Sequence, residues 1–213
     1  DNATGVAGVL EIAEQFTVRK AKPERSVIFL IVTLEESGLL GSKYYAAHPV
    51  VPLADTVAEI NIDALPVIGP AKDFIVVGLG NNNLDEILRP IAAKQGRELV
   101  PETEPEKGTF FRSDHFNFAK AGVPALYAKG GIDLVEGGRE KGQAAMDDYV
   151  TNRYHKAADN YDPAWDLRGV VKDLQALYGV GDALANSREW PNYREGTEFR
   201  AVRDASRKGK AAQ

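Results

Sequence analysis

The 213-residue sequence contains no cysteine, one methionine and three histidines. Without cysteine, the chain cannot form a disulfide scaffold, a cysteine-ligated zinc knuckle, an iron–sulfur cluster or a thiol nucleophile. No apolar run approaches the roughly 20 residues that a helix needs to cross a bilayer. Basic residues are not in excess, since 26 Lys and Arg stand against 31 Asp and Glu, a formal net charge of −5. We therefore expect neither a membrane span nor a nucleic-acid partner.

The overall composition is that of an ordinary globular domain, with 44% hydrophobic and 27% charged residues. A chain of this length removes roughly 70% of its unfolded surface from water, so it can build a core without disulfides. Apolar strand-like runs alternate with segments of helical spacing. This alternation predicts one α/β domain.

Local patterns predict the elements of this domain. The nearly continuous apolar run from Ser26 to Leu34 predicts a strand buried on both faces. Residues 130–153 show no periodicity and predict a long loop, and the polar sequence from Arg188 predicts a frayed tail, so we divide the chain into 1–187 and 188–213. Further strands are predicted at 56–62, 73–79 and 123–128, and helices at 3–18, 42–47, 84–94 (kinked or broken at Pro90), 113–120 (capped by Ser113) and 163–185.

Carboxylates follow two of the predicted strands, Glu35 and Glu36 after the first and Asp63 after the next. In such sheets, ligands bind beyond the carboxyl ends of the strands. Adjacent strand residues point to opposite faces, so both glutamates can serve one site only if the backbone turns there, as Gly38 allows. One could then bind a metal while the other deprotonates water. The alternative is that both are solvated loop residues.

The three histidines differ in their settings. His48 lies at a predicted helix end, where a structural role is expected. His115 follows Asp114 at the start of a short helix, where helix capping and a pocket role are both open. His155 lies in a charged loop with Asp159 nearby, so it is either a metal ligand with a supporting carboxylate or a residue without function.

The order of these segments closely resembles the co-catalytic di-zinc aminopeptidase family (clan MH metallopeptidases), which includes glutamate carboxypeptidases and is related to glutaminyl cyclases. The resemblance runs from residue 1 to about residue 185. It implies a three-layer αβα fold with a mixed, mostly parallel central sheet that lacks its first strands. It also implies a periplasmic or secreted protein. The segments that carry it are DNATG from Asp1, LEESGLLGS from Leu34, NID from Asn61, SDHFNF from Ser113 and YHKAAD from Tyr154.

The resemblance also implies roles for the matching residues. Asp1 matches the aspartate that bridges two zinc ions, Glu36 and His155 match ligands of one zinc, and Asp63 matches a ligand of the other. Glu35 matches the general base. Tyr154 resembles a tyrosine that hydrogen-bonds the tetrahedral intermediate. The remaining residues are expected in the pocket or beside the metal ligands, and they are Asp114, His115 and Asp159.

The chain departs from the family pattern at its start. The family has a histidine ligand in an H-x-D element upstream of the bridging aspartate, and this chain begins at that aspartate. We therefore expect a fragment whose second zinc has only Asp1 and Asp63 as ligands, so that it holds at most one zinc ion tightly. The missing N-terminal segment of the same polypeptide is then an expected partner.

The function implied for the parent protein is hydrolysis of N-terminal peptide bonds, with a peptide as substrate, while the fragment alone is incompletely equipped. Three alternatives stay open. A glutamate-type carboxypeptidase could grip a substrate carboxylate with Arg112, Arg153 or Lys156. A glutaminyl cyclase needs one zinc, and an inactive binding or assembly domain would keep only the fold.

Overall fold

The computed structural model describes residues 1–209, and within them the chain forms seven α-helices and one four-stranded sheet. No helix in this described part is both long and apolar enough to cross a membrane. In chain order the elements are α1 (Ala3–Val18), α2 (Leu40–Ala47), β1 (Glu59–Asn61), β2 (Asp73–Val77), α3 (Leu84–Lys94), β3 (Glu98–Pro101), α4 (His115–Lys120), β4 (Ala125–Gly130), α5 (Gly138–Asn152), α6 (Arg168–Ala185) and α7 (Arg200–Ser206).

The sheet has the strand order β1-β4-β2-β3. β1 and β4 are parallel, as are β2 and β3, whereas β4 and β2 are antiparallel. The predicted mixed, mostly parallel sheet is therefore confirmed. Tyr127 at the centre of β4 stands opposite Asn61 on β1 and Val77 on β2, which puts the carboxyl end of β1 next to the middle of the sheet.

Alternation along β4 separates the two faces of the sheet. Leu126 and Ala128 point into the main core, which α3 and α6 cover by packing on each other. Tyr127 points to the opposite face, where its ring contacts His115 of α4 at 5.2 Å between ring centroids. Helices on both faces of the sheet make the three layers that the resemblance implied.

A buried ion pair ties α6 to the sheet. Arg97 Nη2 lies 2.7 Å from Asp173 Oδ1, and their side chains are only 2% and 1% exposed. The Arg97 guanidinium also lies over the Phe74 ring, 4.0 Å from its centroid. The backbone N–H of Gly130 donates to Asp173 Oδ2 at 2.8 Å, so the same carboxylate holds the end of β4.

The strand predicted from Ser26 to Leu34 is wrong for this chain. Residues 26–34 form no strand, and Ile28, Phe29 and Ile31 are 47%, 40% and 53% exposed. A strand exists only through hydrogen bonds to a neighbour, and no strand within residues 1–209 pairs with this segment. An apolar run indicates that a segment tends to be buried, but it does not indicate whether a neighbouring strand is present to pair with it.

The long loop predicted for residues 130–153 is also wrong, because α5 occupies most of it. Gly142 is the buried residue of this helix, and the other side chains are exposed or partly exposed. A helix lying on the surface with so narrow an inward stripe has no strong apolar period. Gly137, just before the helix, and Gly138, its first residue, adopt positive φ angles of 109° and 65°.

Further differences concern the helix at Pro90 and the segment after α6. α3 continues through Pro90, which lies on its exposed side together with Glu86, so water can bond the carbonyl that Pro90 leaves free. The frayed tail predicted from Arg188 is wrong for residues 188–209. Tyr193 is buried and donates to the carbonyl of Val123 at 2.8 Å, and α7 packs as well. Residues 210–213 lie outside the described residues.

Two further elements, α6 and β3, also differ from the prediction. α6 begins at Arg168 rather than Pro163, because Asp166 is held in an extended contact with the strand-like segment at Ile68. The four-residue strand β3 was not predicted, and it pairs with β2 at the edge of the sheet.

Candidate functional site

The backbone turns sharply at the glutamate pair. Leu34 and Leu39 both adopt left-handed φ angles of 59°, and Gly38 has φ 92°. The N–H of Gly38 donates to the carbonyl of Glu35 at 3.1 Å, which closes the turn. Left-handed residues other than glycine cost of order 1–3 kcal/mol and cluster at functional sites. As a result of this turn, Glu35 and Glu36 line the same cleft.

Asp1 and Glu36 line this cleft and also an adjoining opening, where His155 meets them. His155 Nε2 lies 2.7 Å from Glu36 Oε1 and 3.2 Å from Asp1 Oδ2. One potential ligand atom from each of the three residues lies within 4.8 Å of the others. His155 itself is left-handed, with φ 57°, and its ring is stacked on Tyr154 at 3.8 Å between centroids. Residues far apart in the sequence thus present two carboxylates and an imidazole to one point.

Asp63 lies in the same cleft but outside this group of three. It follows the carboxyl end of β1, and its carboxylate is oriented by a chain of hydrogen bonds. Ser113 Oγ donates to Asp63 Oδ2 at 2.9 Å, and Asn61 Nδ2 donates to Ser113 Oγ at 2.8 Å. The hydroxyl of Tyr127 adds a longer contact of 3.5 Å to the same oxygen. Ser113 therefore supports Asp63 and does not cap α4, contrary to the prediction.

The carboxylate of Glu35 has an unusual affinity for protons. Partial burial, reinforced by the nearby charges of Asp63, Glu36 and Asp114, raises the pKa of Glu35 to about 7. His155 acts in the opposite direction. A carboxyl group with a pKa near neutrality can both accept and return a proton at physiological pH.

Three other predicted residues lie at or behind the cleft. Asp159 lines it and accepts hydrogen bonds from the α-amino group of Asp1 and, at 3.4 Å, from the Tyr149 hydroxyl. Asp114 accepts from Ser42 Oγ at 2.5 Å, and burial raises the pKa of Asp114. His115 is fully buried behind Tyr127, and burial lowers the pKa of its imidazole to about 4. Asp114 and His115 thus pack behind the cleft.

The cleft has a volume of about 320 Å³, and part of its lining was not predicted. Tyr127 and Lys129 reach it from β4, and Met146 and Tyr149 reach it from α5. The alternation of VPALYAKG along the strand could have identified the first two, but α5 was hidden in a predicted loop. The residues that line it on its apolar side include Leu65, Pro66, Val67, Ile68, Val150 and Trp165.

The basic residues expected in a carboxypeptidase are spread out. Arg112 is exposed and lines the cleft. Arg153 instead lies 3.9 Å from Asp162 and 4.0 Å from Asp148. Lys156 donates to the carbonyl of Thr151 at the end of α5.

Comparison of the sequence with known proteins gives one family and several relatives. The model of the family described as Peptidase family M28 matches residues 1–178. Leupeptin-inactivating enzyme 1 of Streptomyces exfoliatus is 29% identical over 168 residues, which cover 75% of this chain and 36% of that protein. A vacuolar membrane protease of Phaeosphaeria nodorum is 35% identical over 74 residues, or 35% of this chain and 8% of that protein.

Solved structures share the fold. An aminopeptidase from Aneurinibacillus sp. strain AM-1 aligns with a TM-score of 0.57 and 20% identity, over 89% of this chain and 40% of its own. The Legionella pneumophila aminopeptidase LapA aligns with a TM-score of 0.62 and 14% identity, over 89% of this chain and 47% of its own. The chain thus spans less than half the length of these relatives.

Proposed function

Because the chain belongs to peptidase family M28, we propose that its protein is a metal-dependent aminopeptidase that hydrolyses the N-terminal bond of a peptide substrate. The main support is the grouping of Asp1, Glu36 and His155 next to the cleft that Glu35 lines. An extracytoplasmic location, and residues 1–187 as part of the catalytic domain, stay predictions from the family resemblance.

The donor set fits zinc. Carboxylate oxygens and an imidazole nitrogen are ligands that zinc accepts, and three protein ligands are usual for a catalytic zinc ion. Asp1, Glu36 and His155 would hold one ion, and Asp1 together with Asp63 would hold a second in the whole protein. When bound, zinc polarises the scissile carbonyl and makes water a stronger nucleophile.

The chain's own residues would move the proton and bind the developing charge. Glu35, whose pKa is raised to about 7, accepts the proton of the attacking water and returns it to the leaving amine. Nearby bound cations would lower that pKa again, which keeps the carboxylate ready to accept. The Tyr154 hydroxyl donates a hydrogen bond to the developing oxyanion, and since burial raises the pKa of Tyr154, this group stays protonated.

The proposed activity is tested with matched substrates. We expect the whole protein to hydrolyse aminoacyl p-nitroanilides with a free α-amino group and to leave their N-acetylated counterparts intact. A chelator should abolish hydrolysis, and added zinc should restore it. Release of glutamate from N-blocked, C-terminally glutamylated peptides would instead identify a carboxypeptidase, and cyclisation of N-terminal glutamine would identify a cyclase. A protein that binds zinc yet transforms none of these substrates would contradict the proposal.

The number of protein ligands available for each zinc ion predicts how many ions the 213-residue chain holds. We expect one tightly held zinc ion per chain, because Asp1 and Asp63 alone form a weak second site. Zinc titration followed by metal analysis after gel filtration measures this directly. His155→Ala should lose the tight ion and Asp63→Ala should retain it. Two tightly held ions per chain, or a tight ion that survives in His155→Ala, would disprove this assignment.

A further inference from the structure

The cleft contains a cation that the proposed hydrolysis does not use. Lys129 lies on β4, two residues beyond Tyr127 and on the same face of the strand, so it faces the cleft. Its Nζ donates to the Tyr127 hydroxyl at 3.4 Å and lies 5.5 Å from the centroid of that ring. Since the same hydroxyl contacts Asp63, the ammonium lies close to this proposed metal ligand.

The Lys129 ammonium is half-buried without an ion-pair partner. Within residues 1–209, no carboxylate oxygen lies within 4.0 Å of its Nζ, although Asp63 and Asp173 lie close enough to attract its charge. Removing an ammonium from water without pairing it is unfavourable. The other buried cation near this strand, Arg97, is by contrast ion-paired with Asp173. No ion pair among the described residues therefore neutralises the positive charge of Lys129, whereas a bound ligand with a negative charge would neutralise it.

The backbone beneath Lys129 is rigid. Lys129 is paired with Ile75 in the antiparallel register of β4 and β2. The next residue, Gly130, donates its N–H to the buried carboxylate of Asp173 at 2.8 Å. Lys129 thus extends from a fixed base, and a preorganised cation loses less conformational freedom when it binds an anion.

The space in front of Lys129 suits an apolar stem that ends in a charge. Ile68, Met146 and Trp165 line the cleft together with Lys129, and the volume of about 320 Å³ is that of a small-molecule site. Arg112, exposed at the cleft, adds a second positive charge that attracts anions. A carboxylate on a short aliphatic chain would contact both kinds of lining.

We propose that Lys129 is a specificity-determining residue that binds a carboxylate of the substrate. The inference rests on the proposed peptidase function and names its substrate class: peptides with a carboxylate close to the scissile bond. That carboxylate belongs either to an acidic N-terminal side chain or to the free C-terminus of a dipeptide.

Kinetics of the whole protein with Lys129→Met separate the two sources. Glutamyl p-nitroanilide carries only a side-chain carboxylate, leucylglycine only a C-terminal one, and leucyl p-nitroanilide neither. We expect Lys129→Met to lower kcat/KM at least about tenfold, relative to leucyl p-nitroanilide, for one of the first two substrates. Lys129→Arg should retain most of this preference because it keeps the charge. Lys94→Met, which removes an exposed lysine of α3, should leave all three ratios at wild-type values.

A binding measurement keeps this test independent of turnover. Calorimetric titration of glutarate and of uncharged glutaramide into the zinc-loaded 213-residue chain is expected to show weaker glutarate binding in Lys129→Met, with the glutaramide affinity changed much less. If Lys129→Met had the same kcat/KM ratios and the same glutarate affinity as Lys94→Met, the proposed role of Lys129 would be overturned. If no substrate is hydrolysed but glutarate binding depends on Lys129, the peptidase proposal fails and the carboxylate site stands.

Discussion

Replacement of Glu35 by Gln is expected to lower the turnover of the whole protein by about 10²- to 10⁴-fold, the range that a general base contributes. Gln keeps the size of the side chain but cannot accept the water's proton. Because Glu35 lies outside the group formed by Asp1, Glu36 and His155, the zinc content should stay near that of the wild type.

The neighbouring glutamate provides the matched control. Glu36→Gln makes the same chemical change one residue later, and it should lower zinc content together with turnover, since Glu36 Oε1 lies 2.7 Å from His155 Nε2. Turnover and metal analysis on both variants distinguish the roles. If Glu35→Gln kept turnover within about threefold of wild type, or lost zinc as Glu36→Gln does, Glu35 would not be the general base.

Replacement of Asp173 by Ala is expected to lower the free energy of unfolding by about 3–5 kcal/mol. The change leaves the Arg97 guanidinium buried without its carboxylate, and it also removes the acceptor of the Gly130 N–H. Domains of this size are stable by only about 5–15 kcal/mol, so the loss is a large fraction of the total. Urea denaturation followed by circular dichroism measures it.

Asp182 on the same helix gives the control for this prediction. Its carboxylate lies 2.5 Å from Arg19 Nη1, but the side chain is 38% exposed. Water and salt screen such a pair, so Asp182→Ala should cost only about 0–1 kcal/mol. Equal losses in the two variants would contradict the importance of burial. If Asp173→Ala does not fold at all, Asp173→Asn, which keeps an acceptor for the Gly130 N–H, should fold with an intermediate stability.

Elements were predictable from the sequence where local pattern and tertiary packing agree. α3 has the predicted bounds because its apolar residues recur at helical spacing and Leu84, Leu88 and Ala92 face the core. α1 also has the predicted bounds, although Val6 and Leu10 of its apolar pattern are exposed. Residues 26–34 and α5 show the two ways in which this agreement fails. The first is apolar but has no strand beside it among the described residues, and the second packs with too narrow a stripe to give an apolar period.

Site residues were predictable where a residue type is costly in its local setting. The carboxylates after apolar runs identified Glu35, Glu36 and Asp63 as candidates, whereas Ser113 and Lys129 gave no such signal. Ser113 stands at a helix start where a cap is the ordinary expectation, yet its hydroxyl donates to Asp63. Their roles depend on the residues across from them, and that information is absent from the local sequence.

By itself, the sequence determined the α/β class, most helix positions, the turn after Glu35 and the chemical types available for a site. Only the tertiary structure decided which of these groups meet. It brings His155 to Asp1 and Glu36, and it holds Asp63 outside that group through hydrogen bonds from Ser113 and Asn61. It also directs Lys129 into the cleft that Asp63 lines. The physical reason is range. Backbone turns and periodicity follow from neighbours in the chain, whereas convergence of distant side chains follows from how the sheet and its helices pack.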